Sequence, residues 1–191
     1  MKRIEEVYRE LLYQFMEKKR RTFTQLELSK TTGLSISTVN YSLKPLRSMN
    51  AVNVKPRSFS VTDAKKILYY WASARNLPKD IIYQTRSNKD VRTIEAEMPP
   101  DAIYGLFSGY KFMYKDVPSD YSEVYVYSED ANEMTKRFPP QSGPQNIITL
   151  KKGCMTQMTK AQLFVDLWNV REWYAKEFLK ALEAKINGLL E

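Results

Sequence analysis

The sequence predicts a mixed α+β protein made of two domains. Residues 1–77 are expected to form helices and a β-hairpin, and residues 78–191 a mixed α+β domain that ends in two helices. Apolar residues recur at helical spacing in most of the first segment, whereas short and alternating apolar runs follow it. The balance of charge changes at the same place, near Leu77-Pro78-Lys79-Asp80, which marks the expected boundary. A hydrophobic fraction of 43% in 191 residues excludes a disordered chain.

The first two helices are predicted from periodicity and from end signals. A helix over residues 3–18 is indicated by apolar residues at helical spacing: Ile4, Val7, Leu11, Leu12 and Phe15. Thr24 and Glu27 have the spacing of a capping box, which predicts a short second helix with Leu26 and Leu28 near its buried side. Gly33 is expected to end that helix, because glycine readily adopts the left-handed conformation of a tight turn.

The third helix is predicted to begin at Ser35 and to carry an apolar stripe: Ile36, Val39, Leu43 and Leu46. Pro45 lies inside this pattern, and we expect a kink or an early end there because proline removes a backbone donor. Residues 51–54 and 59–61 read as the two strands of a hairpin around a Pro-containing turn. A fourth helix should start at Thr62 or Asp63 and run to about Arg75.

The second domain has a mixed pattern. Strands are predicted at residues 81–85, 91–97, 123–127 and 145–150, a short helix at 102–107, and a loop at 138–144. Thr159 and Gln162 have the spacing of a helix start, and Asn169 and Glu172 indicate that a helix restarts at Asn169. The last helix is expected to have one apolar face, formed by Val170, Tyr174, Phe178, Ala181 or Leu182, and Ile186.

The excess positive charge lies entirely in the first segment. Residues 1–78 contain 15 Lys and Arg against 6 Asp and Glu, a net charge of +9, whereas residues 79–191 contain 15 against 16. Basic charge confined to one segment is typical of proteins that bind polyanions, because neutralised phosphates release counterions. Nucleic acid is favoured over a membrane surface, since no basic amphipathic helix has a matching broad apolar face for lipid. No apolar stretch has the length of a transmembrane helix either.

The residue inventory excludes several kinds of site. The chain contains no histidine and one cysteine, Cys154, so Ser-His and Cys-His nucleophile pairs and a structural zinc site are excluded. We expect no cofactor and no catalytic residue. The single cysteine and the absence of an apolar N-terminal segment predict a cytoplasmic protein.

Residues 28–47, LSKTTGLSISTVNYSLKPLR, resemble the helix-turn-helix of winged-helix regulators. The resemblance implies that the helix after Ser35 enters the major groove of double-stranded DNA and that the hairpin forms a wing. Asn40 is the best candidate for a base contact, because an amide can bond an adenine edge twice, whereas Lys44 and Arg47 are expected at phosphates. The candidate DNA-binding residues are Ser35, Ser37, Thr38, Asn40, Tyr41, Lys44 and Arg47 on the helix, Lys55 and Arg57 in the wing, and Arg20 and Arg21 after the first helix.

The whole chain resembles the abortive-infection type IV antitoxin regulators. Three stretches carry this resemblance: residues 61–72, VTDAKKILYYWA; residues 104–110, YGLFSGY; and Leu167-Trp168-Asn169 with the helix that follows. The resemblance implies a repressor of its own operon. It implies either an antitoxin that opposes a toxin encoded beside it, or a standalone regulator with the same layout. Aromatic clusters at 69–71 and 168–174 favour a homodimer, which would read paired half-sites.

Two alternatives remain open at this stage. Ser108-Gly109 before a strand that ends at Glu129 and Asp130 is faintly similar to nucleotidyltransferases, which hold Mg²⁺ with carboxylates. The Asp-x-Asp spacing of those enzymes is missing, and a solvated strand end explains the two acids better. The second alternative is a winged helix that binds a protein partner rather than DNA.

Overall fold

The computed structural model describes residues 2–191 and confirms the mixed α+β class, with 52% helix and 13% strand. The helices within these residues are α1 Arg3–Lys18, α2 Gln25–Thr32, α3 Ile36–Ser48, α4 Ala64–Ala74, α5 Val91–Ala96, α6 Leu106–Tyr114, α7 Ala131–Arg137, α8 Lys160–Trp168 and α9 Ala175–Ile186. The strands are β1 Thr22–Phe23, β2 Val52–Val54, β3 Phe59–Val61, β4 Ile81–Thr85, β5 Ile103–Tyr104, β6 Val124–Ser128 and β7 Ile147–Lys151.

The chain divides into two compact units. The first comprises Met1–Arg75, Thr159–Val165 and Glu183–Glu191, and the second comprises Asn76–Met158 and Asp166–Leu182. The chain therefore leaves the first unit at residues 75–76 and returns to it twice near its C-terminus. None of the helices within residues 2–191 has both the length and the apolar character needed to cross a bilayer.

Local signals in the sequence set the helix ends of the first unit. The Thr24 side chain accepts a hydrogen bond from the Glu27 backbone, and the Glu27 side chain bonds the Thr24 backbone, so the predicted capping box is confirmed. Gly33 ends α2 with φ +68°, and Ser35 caps α3 by accepting from the Thr38 backbone N–H at 3.1 Å. Asp63 caps α4 in the same way, through the Lys66 backbone N–H.

A three-stranded antiparallel sheet, in the order β1-β3-β2, completes the first unit. The predicted hairpin is confirmed as β2 and β3, with Val52 opposite Val61 and Val54 opposite Phe59. β1 was not predicted, since two residues are too few to show an alternating pattern. Its Phe23 pairs with Phe59 of β3, and the two buried rings lie 5.7 Å apart.

Three expectations for the first unit are wrong. Of the two outcomes expected at Pro45, the early end is wrong, because helix α3 continues through the proline to Ser48. Ile36 does not share the buried stripe of Val39, Leu43 and Leu46, because it lies in the first turn of α3, where its side chain is 49% exposed. Leu26 is likewise 51% exposed, while Leu28 is buried as expected.

The second unit contains a four-stranded sheet in the order β4-β7-β6-β5. β6 and β7 are parallel, and the outer pairs are antiparallel. All five residues of β6 are buried. Since successive strand residues point to opposite faces, both faces of the sheet must be covered.

On one face of the sheet, buried apolar side chains form a cluster: Ile94, Met98, Val124, Val126, Met134, Phe138 and Ile147. On the other face, the Phe107 ring lies 6.2 Å from Tyr125 and 5.0 Å from Phe178.

The predicted strands 81–85, 123–127 and 145–150 are confirmed as β4, β6 and β7, but three other expectations are wrong. Residues 91–97 form α5 instead of a strand, because Asp90 caps the segment by accepting from Thr93 and Ile94 lies three residues after Val91. Residues 102–107 contain β5 and only the start of α6, and the last helix begins at Ala175 instead of Asn169. Val170 therefore precedes that helix, whose buried residues include Phe178, Leu182 and Ile186.

Glu123, just before β6, is a source of pH-dependent stability in the second unit. Its Oε1 accepts from the Ser122 hydroxyl at 3.0 Å, while Oε2 is buried without a partner among residues 2–191. Burial raises the pKa of Glu123 above its usual value, and the charge of Glu172 adds to the increase. The folded state therefore holds this proton at a higher pH than the unfolded state does, so stability falls as the pH rises through the raised pKa.

We expect Glu123→Gln to stabilise the protein at pH 8 by about 1 kcal/mol, because the neutral amide removes a buried charge that lacks a full set of partners. The difference from the wild type should shrink at pH 4.5, where more of the Glu123 carboxyl is protonated. Urea unfolding at the two pH values measures this. Glu129→Gln, at an exposed position, is the matched control and should change neither value. Equal stability of wild type and Glu123→Gln at pH 8 would contradict the prediction.

Candidate nucleic-acid interface

Helix α3 has one face in the core of the first unit and one face in solvent. Val39, Leu43 and Leu46 are fully buried. On the buried side of α3, the Tyr8 hydroxyl donates a hydrogen bond to the Ser42 carbonyl at 3.0 Å. The outward face contains all seven helix residues that the sequence predicts at DNA. Ser35, Ser37, Asn40, Tyr41 and Lys44 are exposed, and Thr38 and Arg47 are partly exposed.

The hydroxyl groups at the start of α3 form a small cluster. The Ser35 Oγ lies 2.9 Å from both the Ser37 Oγ and the Thr38 Oγ1, and it also accepts from the Thr38 backbone N–H. These groups cap the helix and remain at the surface. A hydroxyl can both donate and accept, so the cluster can still bond a phosphate or a base edge.

Two contacts organise the middle and the end of the outward face. The Arg47 Nη2 donates to the Asn40 Oδ1 at 3.1 Å. The Lys44 Nζ lies 5.5 Å from the centre of the Tyr41 ring, and Tyr41 is 62% exposed. Lys44 forms no ion pair within residues 2–191, so its charge is uncompensated by any carboxylate of the chain.

The turn between β2 and β3 carries the second group of predicted contacts. The Lys55 backbone N–H donates to the Ser58 carbonyl at 2.8 Å, which closes the turn. Lys55 and Arg57 are exposed, and neither side chain forms an ion pair or a ring contact in the described part of the chain. Both cations are therefore available to a ligand.

Arg20 and Arg21 differ from these residues, because both have partners within the first unit. Arg20 donates to Glu27 at 2.8 Å and to the Thr22 carbonyl at 3.0 Å. The Arg20 guanidinium holds the pKa of the Glu27 carboxyl below its usual value, with hydrogen bonds from Thr24 adding to the effect. Arg21 lies over the Phe15 ring and donates to the Glu191 backbone oxygen at 2.6 Å. Arg20 and Arg21 therefore both have structural contacts, which their position after the first helix did not indicate.

The charge of the first unit is strongly positive when it is counted on the structure. Its three segments contain 17 Lys and Arg against 8 Asp and Glu, whereas the second unit contains 13 against 14. The segments 159–165 and 183–191 add as many acidic as basic residues, so the net charge of the first unit is +9 with or without them. The surface of α3 and the β2–β3 turn belongs to this unit.

An apolar groove beside the β2–β3 turn was not predicted. Leu26, Ile36 and Val54 are 51%, 49% and 43% exposed, and they line a cavity of about 230 Å³ together with Lys55 and Arg57. Three large apolar side chains at one place on a surface indicate a binding function more often than isolated ones do. The exposure of Ile36 and Leu26, which the sequence did not predict, is explained by their position in this groove.

Of the residues in the enzyme alternative, Asp130 has a structural role. Asp130 caps α7, since its Oδ1 accepts from the backbone N–H groups of Asn132 and Glu133 at 2.8 and 3.1 Å. Ser108 is fully buried in α6, while Glu129 is exposed. Within residues 2–191, no three His, Cys, Asp or Glu side chains are grouped so that they could hold a metal ion.

Neither the models of known protein families, nor the curated proteins, nor the solved structures include a match to this chain.

Proposed function

We propose that this chain is a sequence-specific regulator that binds double-stranded DNA, and that its first 75 residues act as a winged helix. In this proposal α3 enters the major groove and the β2–β3 hairpin is the wing. One observation carries the proposal: the polar outward face of α3 and the unpaired cations Lys55 and Arg57 lie on the unit that holds the whole positive excess. Such a surface matches the phosphate backbone in charge and the base edges in hydrogen-bonding groups.

The proposal extends to regulation. By its resemblance to the antitoxin regulators, the protein represses its own operon and opposes a toxin encoded beside it. The aromatic clusters at 69–71 and 168–174 favour a homodimer. Trp173, in the second unit, is 75% exposed, and tryptophan is enriched at the centres of protein interfaces. This exposure supports a contact between protein chains, and a dimer would place two copies of α3 at two half-sites.

The test uses the wild-type chain and a duplex that covers the DNA directly upstream of its own gene. We expect binding whose logarithmic affinity falls linearly with the logarithm of salt concentration, with a slope near −0.9 for each phosphate neutralised. Fluorescence anisotropy between 50 and 300 mM KCl measures the slope. A shuffled duplex of the same length and composition is the control and should bind more weakly. Equal affinity for both duplexes would contradict sequence-specific binding, and salt-independent affinity would contradict phosphate contact.

The apolar groove favours a second candidate, a module that binds a protein. The exposed side chains of Leu26, Ile36 and Val54 would then receive an apolar segment of the partner. The purified product of the neighbouring reading frame is the partner to test. Binding of that product that is lost in Ile36→Ser, together with no binding to either duplex, would favour this candidate over DNA.

A further inference from the structure

Asn40 and Arg47 form a pair on the outward face of α3, and its geometry is set by the helix. Residues seven apart are almost two full turns apart, so their side chains lie on the same face at a separation along the axis of about 10 Å. The Arg47 side chain is long enough to span this distance, and its Nη2 reaches the Asn40 Oδ1 at 3.1 Å. The guanidinium therefore lies along the helix. Its Nε is shielded from solvent and has no partner within residues 2–191.

We propose that Arg47 is a positioning residue for Asn40, and that the two together select guanine in the major groove. This inference rests on the proposed DNA-binding function and names the base that the site prefers. It replaces two expectations from the sequence, namely adenine as the partner of Asn40 and a phosphate as the partner of Arg47.

The hydrogen bond determines what the pair presents to a ligand. An amide has one acceptor oxygen and an NH₂ group with two donors, and a guanidinium has donors only. Because one of the two lone pairs of the Asn40 Oδ1 already accepts from Arg47, the amide is held in one orientation, with its NH₂ group directed to other partners. The surface formed by Asn40 and Arg47 is thus rich in donors and carries a positive charge.

Guanine and adenine differ in the hydrogen-bonding groups of their major-groove edges, and a surface rich in donors can distinguish them. In the major groove guanine offers two acceptors, N7 and O6, whereas adenine offers an acceptor at N7 and a donor at N6. A lone asparagine suits adenine, because it supplies one donor and one acceptor. The Asn40–Arg47 pair suits guanine, since the N6 donor of adenine would face a cation that can only donate.

A selection from a pool of randomised duplexes tests this inference, and the bound sequences are counted for the wild type and three variants. We expect the wild type to enrich guanine about tenfold over adenine at one position of the site. In Arg47→Ala the Asn40 amide oxygen is released, so the preference at that position should change from guanine to adenine. Asn40→Ala should weaken the guanine preference at the same position. Arg57→Ala, the matched loss of an arginine from the hairpin turn, should lower affinity and leave the enriched base unchanged.

The possible results are distinct. Enrichment of adenine by the wild type at the position that Asn40→Ala alters would overturn the inference. It would also be overturned if Arg47→Ala kept the guanine preference and lowered affinity for all duplexes alike, since Arg47 would then be a phosphate contact. A wild type that retains duplexes without enriching any sequence would contradict the pair as a reader of bases, and with it the sequence-specific part of the proposed function. A wild type that retains no duplex would contradict the proposed function itself, and the inference with it.

Discussion

Replacing Lys55 and Arg57 together by alanine is expected to weaken duplex binding by roughly tenfold to thirtyfold near physiological salt, and to lower the salt slope by about 2. The two side chains are exposed and have no ionic partner among residues 2–191, so the substitutions remove two charges without breaking an internal contact. The loss should be the same for specific and shuffled duplexes, because phosphates carry no sequence information. Anisotropy titrations at several KCl concentrations give both the affinity and the slope.

The matched control for this double variant is Lys79→Ala with Arg92→Ala, which removes one lysine and one arginine from exposed positions of the second unit. The control lowers the net charge of the chain by the same amount. If the net charge of the whole protein caused the binding, the two double variants would lose affinity equally. That result would contradict the role of the β2–β3 turn and of the first unit as the site of DNA contact.

Glu5→Ala is expected to lower the free energy of unfolding by about 3–5 kcal/mol, the range found when one partner of a buried ion pair is removed. The Glu5 Oε2 accepts from Arg75 at 3.1 Å and from the Trp71 indole at 3.2 Å. The side chains of Glu5 and Arg75 are only 3% and 1% exposed, so water cannot replace the lost carboxylate. Urea unfolding followed by far-UV circular dichroism measures the change.

Glu6→Ala is the control for this prediction. Glu6 is the next residue of α1, is partly exposed, and has no hydrogen-bond or ionic partner among residues 2–191. Its removal should change the free energy of unfolding by no more than about 0.5 kcal/mol. A Glu5→Ala variant that is as stable as Glu6→Ala would contradict the prediction, since removal of one partner of a buried ion pair is expected to be strongly destabilising.

Much of the first unit could be predicted because its signals are local. The capping groups of Thr24, Ser35 and Asp63 each accept from the backbone N–H three residues further along the chain, so a short stretch of sequence contains both partners. The candidate site was predicted in the same way, since the buried stripe of α3 determines which residues face solvent. The second unit was harder. At residues 91–97 the cap at Asp90 is also a local signal. The segment was predicted as a strand because its apolar residues were interpreted with a period of two instead of the helical period.

Periodicity, caps and composition are sufficient to predict the class of the fold, the positions of most helices and strands in the first unit, and the segment that holds the positive charge. They do not predict which residues far apart in the chain meet in the folded protein. The contact of Glu5 with Arg75 joins residues 70 positions apart, and no sequence pattern indicates that the segments 159–165 and 183–191 belong to the first unit. The tertiary structure also determines the character of the α3 surface, through the Asn40–Arg47 hydrogen bond and the exposure of Ile36. The physical reason is that caps and periodicity depend on neighbours in the chain, whereas burial and side-chain pairing depend on neighbours in space.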